Sequence, residues 1–422
     1  MQEHPVLGQV IVGYSPMMDR QRAVVATRLT IFPEQPGAVP DAAALLAAIA
    51  LVFPAPAESL SISLRPMEAG AGVTATVGTG TPVMLNVASE ALLDAVIAAA
   101  TAAPVLHMLL EVPAFLVDDP VRGLALRALH KAGHALAITG RPVTELPREL
   151  LPCFRHAIVD LHDDRRTGSP APAGVARLIT TVHSGVRTLA DVEASIKRGA
   201  VGAIGWPVEG EFAASAKGAM APGLRGVVDL MKLVDREEPA ERMEPVLKFD
   251  PTLAFRLLRY INSAAFGLRV EVTSFKHALM LLGYSRLKRW LALLLAGASK
   301  DAALRPLMHA AVRRGFLMEE LARGSGDDEM RSEMFICGVF SLLDRMLLQP
   351  FPELLKNVPV PERVQASLAT DNGPYTPHLD LVRAVEQGSP VDIRSGAERL
   401  LIAPGEVTRA TFAALAAART LD

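Results

Sequence analysis

The sequence predicts two domains of different fold class, an α/β barrel-like domain followed by an all-helical domain. Its 422 residues are too many for one ordinary core, because a domain takes about 150 residues. In the first half, short apolar runs alternate with amphipathic stretches, as in repeated βα units. In the second half, apolar residues recur with the period of helices. We therefore place the domains at residues 1–211 and 224–422.

Eight short apolar runs in the first half are predicted strands. They are residues 10–12, 24–32, 83–87, 106–112, 135–139, 157–161, 178–182 and 200–204. Amphipathic stretches between them predict helices at residues 41–52, 89–101, 120–132 and 189–197. Eight strands with helices between them predict a TIM-like (β/α) barrel.

A stretch rich in Ala, Ser and Gly, residues 212–223, is the predicted linker between the domains. In the helical half, Asp250 followed by Pro251 is typical of a helix N-terminus, with Asp at the N-cap and Pro at the first helical position. Gly283 is expected to end a helix that begins at Ser274.

Composition and charge narrow the class of protein. The chain has 43 basic and 45 acidic residues, a net charge of −2, which disfavours a nucleic-acid partner. Its two cysteines, Cys153 and Cys337, lie far apart in apolar sequence, so we expect a reducing compartment and no disulfide. The N-terminus lacks the cationic head of an export signal. The apolar stretch 95–110 is shorter than the about 18 to 20 residues of a membrane span. A cytoplasmic protein with no membrane partner is expected.

Four landmarks occur in order along the first half of the chain. The segment 14–25 comes first, Asn86 and Glu111 each stand inside a predicted strand, and residues 199–207 read Gly-Ala-Val-Gly-Ala-Ile-Gly-Trp-Pro. In this order they resemble the EAL family of cyclic di-GMP phosphodiesterases. The resemblance implies a barrel of EAL type.

The second half carries the strongest family signal in the chain. Residues 250–267 read Asp-Pro-Thr-Leu-Ala-Phe-Arg-Leu-Leu-Arg-Tyr-Ile-Asn-Ser-Ala-Ala-Phe-Gly, and residues 274–283 read Ser-Phe-Lys-His-Ala-Leu-Met-Leu-Leu-Gly. These stretches resemble the HDOD domain, an all-helical relative of metal-dependent HD phosphohydrolases. An EAL-like half joined to an HDOD half is an architecture of bacterial signal-transduction proteins.

The EAL resemblance also implies where a two-metal site would lie, and most of its ligands are replaced. EAL enzymes hold two cations with several carboxylates and an asparagine. The glutamate of the family's signature motif falls at Arg28, whose fixed charge would repel metal ions. The family's paired aspartates fall at residues 138–140, which are Ile, Thr and Gly.

Two further positions of the family's site are changed as well. A strand glutamate falls at His183 and a lysine falls at Ile158, so Asn86, Glu111 and Asp160 are the vestigial site positions. The simplest interpretation is that Asn86 and Glu111 are structural, satisfied by the backbone or by Arg28. A residual metal or nucleotide site is the alternative.

The helical half has lost the corresponding metal pair. The His-Asp pair of the HD enzymes falls at Ser341 and Leu342. His309 stands at the first histidine position, where a lone His on an apolar helix is more often packed than metallated. We expect no catalytic residue, no metal and no cofactor in either domain.

These losses predict a noncatalytic bacterial regulator or scaffold that acts through protein–protein interaction, with other signalling proteins as partners. Two alternatives stay open. The first is a sensor that binds cyclic di-GMP or another nucleotide without hydrolysing it, and the second is a residual phosphodiesterase. The sequence leaves the oligomeric state open.

The helix predicted to begin at Ser285 offers a candidate contact surface. Its core face consists of residues at helical spacing, namely Leu287, Trp290, Leu291, Leu294 and Leu295. Arg286, Arg289 and Leu293 fall on the other side and are the candidate partner contact. The alternative is that acidic residues of the same chain neutralise these arginines, or that the barrel covers this face of the helix. Asn262 lies at a predicted helix end and is expected to be structural, with direct contact to a ligand as the alternative.

Overall fold

The computed structural model of the protein describes residues 4–54, 82–103, 108–141, 146–164, 179–210, 222–249, 275–296 and 304–419. The chain divides into two compact units. The first comprises residues 1–20, 24–186 and 193–205, and the second comprises residues 21–23, 187–192 and 206–422. Residues 212–221 of the predicted linker lie outside the described residues, and a helix begins already at Pro222.

The first unit contains a closed barrel of eight strands that follow one another in chain order. The strands are β1 (Val10–Asp19), β2 (Val24–Pro33), β3 (Val83–Val87), β4 (Met108–Pro113), β5 (Ala135–Thr139), β6 (Phe154–Asp160), β7 (Thr180–Val186) and β8 (Gly202–Gly205). The eight apolar runs therefore predicted the barrel correctly, and the bounds of β3 and β5 agree residue for residue.

Four described helices connect these strands, and their N-termini explain where they begin. They are α1 (Ala42–Val52), α2 (Glu90–Ala102), α3 (Pro120–Lys131) and α4 (Leu189–Lys197). The carboxylate of Asp41 accepts hydrogen bonds from Ala43 N and Ala44 N at 3.0 Å each, which satisfies two free backbone donors at the start of α1. Asp119 caps α3 through one hydrogen bond, from Val121 N to its carboxylate at 3.0 Å.

β1 departs from the predicted repetition of βα units. It runs antiparallel to both of its neighbours, β2 and β8, whereas the other neighbouring strands are parallel. Only residues 20–23 separate β1 from β2. A crossover between parallel strands needs about a dozen residues, so this spacing requires an antiparallel pair.

Apolar side chains fill one layer of the barrel interior. The layer consists of Met17, Ala26, Met84, Ala137, Ile158, Val182 and Ile204, with Leu109 packed against it. Because side chains alternate along a strand, residues two positions further along face the same way. On β2 to β7 these residues are Arg28, Asn86, Glu111, Thr139, Asp160 and Ser184. We call these six polar residues the mouth layer; they lie near the carboxyl ends of the parallel strands, where (β/α) barrels carry their active sites.

The second unit is built from helices over residues 222–419, as the sequence predicted. The described helices are α5 (Pro222–Asp235), α6 (Ala240–Phe249), α7 (Phe275–Ala296), α8 (Arg305–Leu321), α9 (Asp328–Phe340), α10 (Leu343–Leu347), α11 (Phe351–Leu354), α12 (Glu362–Ala369), α13 (Thr376–Gln387), α14 (Pro390–Arg399) and α15 (Pro404–Ala418). Large buried side chains of its core include Trp290, Phe335, Phe340 and Phe412.

α7 is interrupted at Gly283, which has φ +71° and ψ 172°. This left-handed φ favours glycine, so the prediction that one helical segment ends here is confirmed. The predicted helix starts at Ser274 and Asp250 lie outside the described residues.

None of the described helices is by itself long and apolar enough to cross a bilayer. α14 and α15 together have the length and apolar composition of a membrane span, and the pair is bent by 104° at its break.

Candidate functional site

An ion pair between Arg28 and Glu111 occupies the mouth layer of the barrel. Arg28 Nε donates to Glu111 Oε1 and Arg28 Nη2 donates to Glu111 Oε2, both at 2.7 Å. This two-pronged geometry is the strongest that a guanidinium and a carboxylate form. The Glu111 side chain is 0% exposed and the Arg28 side chain is 16% exposed. The pair confirms that Arg28 satisfies Glu111.

Thr139 adds a third hydrogen bond to the same carboxylate. Its hydroxyl donates to Glu111 Oε2 at 3.2 Å. Both oxygens of Glu111 are thus engaged by groups of the protein. Burial acts to lower the pKa of Arg28, but the charge of Glu111 and the hydrogen bonds to it outweigh burial, and the pKa is raised above its ordinary value. Arg28 is therefore a permanent cation in the barrel mouth.

Asp160 approaches the end of β7 very closely. A Cβ atom at position 185 would lie 2.3 Å from Asp160 Oδ2, and Gly185 also has φ +76°. Both the contact and the backbone conformation require glycine there. The other carboxylate oxygen, Oδ1, accepts from His162 N at 2.9 Å, so Asp160 helps to order the loop after β6.

A depression of about 410 Å³ opens beside the ends of β5, β6 and β7. Its lining mixes hydroxyl, carboxylate, guanidinium and aliphatic groups, contributed by Thr139, Gly140, Arg141, Ile158, Val159, Asp160, Asp163 and Ser184. Asn86, on the other side of Glu111, is partly exposed and pairs in register with Glu111 across β3 and β4. A pocket of this size and lining can hold a small polar molecule.

The structure places His183 away from the mouth layer. Val182 packs in the barrel interior, so His183 faces the opposite side of β7 and Ser184 takes the inward position. His183 is fully buried, and its Nε2 lies 2.9 Å from Asp164 Oδ2. Arg141 Nη2 donates to the other oxygen of Asp164 at 3.3 Å. The expected position of His183 in the site is therefore wrong by one residue.

A second buried ion pair lies in the helical unit, next to Ser341. Arg314 on α8 donates through Nε and Nη2 to the two carboxylate oxygens of Glu386 on α13, at 2.8 Å each. Arg314 Nη1 donates to Ser341 Oγ at 3.1 Å, and Ser341 Oγ donates to Gly338 O at 2.7 Å. Both charged side chains are at most 4% exposed. We call Arg314, Glu386 and Ser341 the Arg314 cluster.

Glycines allow α8 and α9 to approach each other at this cluster. A Cβ atom at position 338 would lie 2.5 Å from Arg314 O, and one at position 315 would lie 2.5 Å from Val339 Cγ2. The close crossing brings Ser341, at the end of α9, within reach of the Arg314 guanidinium. A nearby carboxylate, Asp344, has its pKa raised by burial, against the opposing effects of hydrogen bonding and of the charges of Arg345 and Arg314.

His309 contacts a cation. Arg313 Nη1 donates to His309 Nδ1 at 2.8 Å, and arginine can act only as a donor, so this ring nitrogen accepts. Burial first, and the charge of Arg313 second, hold the pKa of His309 well below its ordinary value. His309 is a neutral, hydrogen-bonded side chain. Across the described residues, no group of three or more His, Cys, Asp or Glu side chains is arranged to hold a metal ion.

The core face predicted after Ser285 is present. Leu287, Trp290, Leu291 and Leu295 are at most 2% exposed. Leu294 is only partly buried, unlike the prediction.

The cations on this helix differ from one another in their surroundings. Arg286 is exposed and Leu293 is partly exposed. Arg289 Nη2 donates to Glu319 at 2.6 Å, and its guanidinium lies 4.3 Å from the centre of the Phe335 ring. Lys288 pairs with Asp235 at 2.8 Å. Neutralisation by acidic residues of the same chain thus accounts for Arg289, whereas the partner contact stays a prediction for Arg286 and Leu293.

Sequence reasoning missed Arg314 and Glu386, although one signal was available. Arg314 follows Leu307, Ala310 and Ala311 at helical spacing and so falls on the apolar face of α8. A charge on an apolar face indicates a buried partner, but the identity of that partner, 72 residues away, requires the fold. Asn262 lies outside the described residues and stays a prediction.

The sequence profile of the HDOD domain matches residues 225–360. The helical unit contains an HDOD domain. This confirms the family signal that the sequence carries in its second half. The Arg314–Ser341 contact falls within the matched region, whereas Glu386 comes from α13, beyond it.

Two curated proteins are similar to parts of the chain. The uncharacterized protein YuxH of Bacillus subtilis (strain 168) is 28% identical over 142 residues, which cover 32% of this chain and 34% of that protein. The cyclic di-GMP phosphodiesterase CdgJ of Vibrio cholerae serotype O1 is 27% identical over 134 residues, which cover 32% of this chain and 31% of that protein. The chain thus spans about a third of the length of the curated relatives it matches.

Three solved structures are similar to part of the chain, with low TM-scores and low sequence identity. Klebsiella pneumoniae BlrP1, in a complex with calcium and cyclic di-GMP, aligns over 47% of this chain and 55% of its own, at 16% identity and a TM-score of 0.32. The EAL domain of Mycobacterium smegmatis DcpA aligns over 46% of this chain and 90% of its own, at 16% identity and a TM-score of 0.30. The phosphodiesterase PaMucR, in a cyclic di-GMP complex, aligns over 49% of this chain and 93% of its own, at 13% identity and a TM-score of 0.31.

Proposed function

We propose that the protein is a noncatalytic signalling regulator or scaffold of bacterial type, in which an EAL-like barrel has lost its hydrolytic site and the HDOD-containing unit contacts other proteins. The ion pair between Arg28 and Glu111 carries this proposal. The HDOD match supports a signalling protein, and the order of landmarks in the first half supports an EAL-like origin for the barrel.

The ion pair argues against two-metal hydrolysis on electrostatic grounds. Such hydrolysis requires carboxylate oxygens that are free to bind hard cations. Both oxygens of Glu111 already accept hydrogen bonds from Arg28 and Thr139. A metal ion would have to displace a guanidinium, and breaking a buried ion pair costs about 3 to 5 kcal/mol. The divalent cation would also be repelled by Arg28.

The helical unit supports the same conclusion independently. Ser341 stands where the HD enzymes have a metal-binding histidine, and its hydroxyl contacts the Arg314 guanidinium at 3.1 Å. His309 accepts a hydrogen bond from Arg313. The Ser341 and His309 positions therefore each have an arginine as a neighbour, and the positive charge of these arginines disfavours a cation there.

The test of the proposal is a hydrolysis assay with cyclic di-GMP in the presence of magnesium and, separately, manganese. We expect no linear dinucleotide from the full chain, and the same result from the Glu111→Gln variant. Linear product from the unaltered protein that disappears in the Glu111→Gln variant would establish a residual phosphodiesterase and refute the proposal.

A nucleotide sensor is the second candidate function. The depression of about 410 Å³ beside Thr139, Asp160 and Ser184 favours it, because a pocket can bind a ligand without hydrolysing it. The relative CdgJ is a cyclic di-GMP phosphodiesterase, which suggests cyclic di-GMP as the first ligand to test. Calorimetric titration with cyclic di-GMP separates the two candidate functions. Micromolar affinity that falls in a Ser184→Trp variant would favour the sensor. No heat of binding would favour the scaffold.

A further inference from the structure

The depression beside the ends of β5, β6 and β7 contains two carboxylates that have no cationic partner. Asp160 and Asp163 both line it. Within the described part of the chain, no lysine, arginine or histidine forms an ion pair with either side chain, and His162 N is the donor that bonds Asp160 Oδ1. We call this depression, with Asp160 and Asp163 in its lining, the acidic pocket. Two negative charges in one pocket favour a positively charged occupant.

The two carboxylates belong to one turn, and hydrogen bonds from other parts of the barrel fix that turn. Asp163 N donates to Asp160 O at 3.2 Å, which closes the turn. Arg141 Nη2 donates to Asp163 O at 2.7 Å, and Arg198 Nη1 donates to Leu161 O at 2.8 Å. The carboxylates are therefore held near each other before any ligand arrives, which lowers the entropic cost of binding.

Arg141 contributes a cation to the lining, but its charge is offset by another residue. Its Nη2 lies 3.3 Å from Asp164 Oδ1, and the Asp164 side chain is 1% exposed. Arg141 therefore pairs with Asp164 and leaves Asp160 and Asp163 without a counterion. Like charges held in one turn repel each other, so this arrangement weakens the fold unless a cation binds. Stability alone does not explain it.

The rest of the lining favours an organic cation over a metal ion. Calcium takes about six to eight oxygen ligands, whereas an ammonium group needs acceptors for its three N–H donors. Besides the two carboxylates, the acidic pocket offers the hydroxyl oxygens of Thr139 and Ser184. It also contains Ile158 and Val159, whose apolar surface can contact methylene groups. An alkyl chain with ammonium groups uses both kinds of lining.

We propose that the acidic pocket binds an aliphatic diamine or polyamine, with its ammonium groups at Asp160 and Asp163. The two carboxylates match two ammonium groups, and a volume of about 410 Å³ accommodates a chain of several methylene groups between them. A cyclic dinucleotide carries negative phosphates, which the same carboxylates repel. This site goes beyond the scaffold function, which requires no ligand. The hydrolysis assay tests that function, and amine binding tests this site.

The first experiment is calorimetric titration of the full chain with putrescine, n-butylamine and succinate, which have carbon chains of equal length. Putrescine should bind with a dissociation constant of about 0.1 to 1 mM, because so small a ligand makes few contacts. Butylamine has a single ammonium group and should bind at least about tenfold more weakly, and succinate should give no heat of binding. No binding of putrescine, or equal affinities for putrescine and butylamine, would overturn the proposal.

Amide variants test whether the two carboxylates hold the ligand. Asp160→Asn and Asp163→Asn should each weaken putrescine binding at least about tenfold, because each removes one negative charge and keeps the shape of the side chain. The matched control is Asp229→Asn on α5, an exposed aspartate outside the pocket, which should bind putrescine as the parent does. An equal loss of affinity in Asp229→Asn would show general attraction to an acidic surface and would refute the site.

Thermal melting separates a ligand site from a structural role. Without ligand, Asp163→Asn should melt at the temperature of the parent or above it, because the substitution relieves repulsion with Asp160. Excess putrescine should raise the melting temperature of the parent and leave that of Asp163→Asn unchanged. A less stable Asp163→Asn variant that still binds putrescine like the parent would assign the residue a structural role and contradict the proposal.

Competition tests the two other kinds of occupant. Magnesium chloride and cyclic di-GMP are each added to the putrescine complex at a concentration equal to that of putrescine. We expect neither to displace the amine, because the lining has too few oxygen ligands for the metal ion and repels the phosphates. Displacement by magnesium would make the acidic pocket a metal site. Displacement by cyclic di-GMP would make it a nucleotide site, and either result would overturn the proposal.

Discussion

Replacing Arg28 by methionine tests the role of the ion pair in the barrel mouth. Methionine keeps much of the length of the arginine stem but removes the positive charge and all its hydrogen-bond donors. Glu111, which is 0% exposed, would then be left with the single hydrogen bond from Thr139. We expect the barrel to lose much of its stability.

The magnitude follows from the burial of the two partners. Removing one partner of a buried ion pair costs about 3 to 5 kcal/mol, because it leaves an uncompensated buried charge. For a domain of roughly 200 residues, each kcal/mol shifts the melting temperature by about 2 to 4 °C. Arg28→Met should therefore lower the melting temperature of the barrel by about 6 to 20 °C in scanning calorimetry at neutral pH. Glu111→Leu should cost less, because Arg28 is 16% exposed and can retain water.

The double variant Arg28→Met/Glu111→Leu is the decisive control. It removes both charges, and replacing a buried ion pair by apolar residues of similar size is often neutral or stabilising. Its melting temperature should return to within a few degrees of the parent value, or exceed it. The account of the mouth as a buried ion pair fails if Arg28→Met is as stable as the parent. It also fails if the double variant is less stable than both single variants.

The remaining predictions concern the metal content of the protein and the residues Arg286, Arg289 and Asn262. Elemental analysis of the purified protein should find no stoichiometric divalent metal, and one or more metals per chain that are lost on changing Glu111 to Ala would contradict this. Arg286→Glu should weaken association with an acidic partner, increasingly at low salt, without changing the melting temperature. Arg289→Ala should instead cost about 1 to 2 kcal/mol of stability, because it removes the ion pair of Arg289 and its contact with Phe335. Equal melting temperatures for Arg286→Glu and Arg289→Ala would contradict this difference between the two arginines. Asn262→Ala should lower the melting temperature, and full stability with loss of partner binding would show a contact role.

Much of the barrel followed from the sequence because each strand carries its own signal. The apolar runs at β3 and β5 are short and uninterrupted in the sequence, and their predicted limits agree with the structure. β1 extends seven residues beyond its predicted end at residue 12, because Gly13, Tyr14 and Ser15 interrupt the apolar run while the backbone continues to pair with β2. Pairing with a neighbour, not side-chain pattern, sets that boundary.

The candidate site was only partly accessible from the sequence. Arg28 and Glu111 were identified as opposing charges at strand positions, and their contact follows from the closed barrel that brings β2 and β4 to one mouth. The position of His183 was wrong because a shift of one residue along a strand moves a side chain to the opposite face. Arg289 was expected on a surface, but its partner Glu319 comes from another helix 30 residues away.

The guanidinium of Arg28 is attached to β2 by covalent bonds. A metal ion in the same place would exchange with solution, so folding would depend on metal concentration and on the protonation of its ligands. Arginine stays protonated over the whole physiological pH range and cannot be removed by a chelator. The barrel therefore carries its own counterion for Glu111. This counterion is present from synthesis, and its supply does not depend on magnesium or manganese in the surroundings.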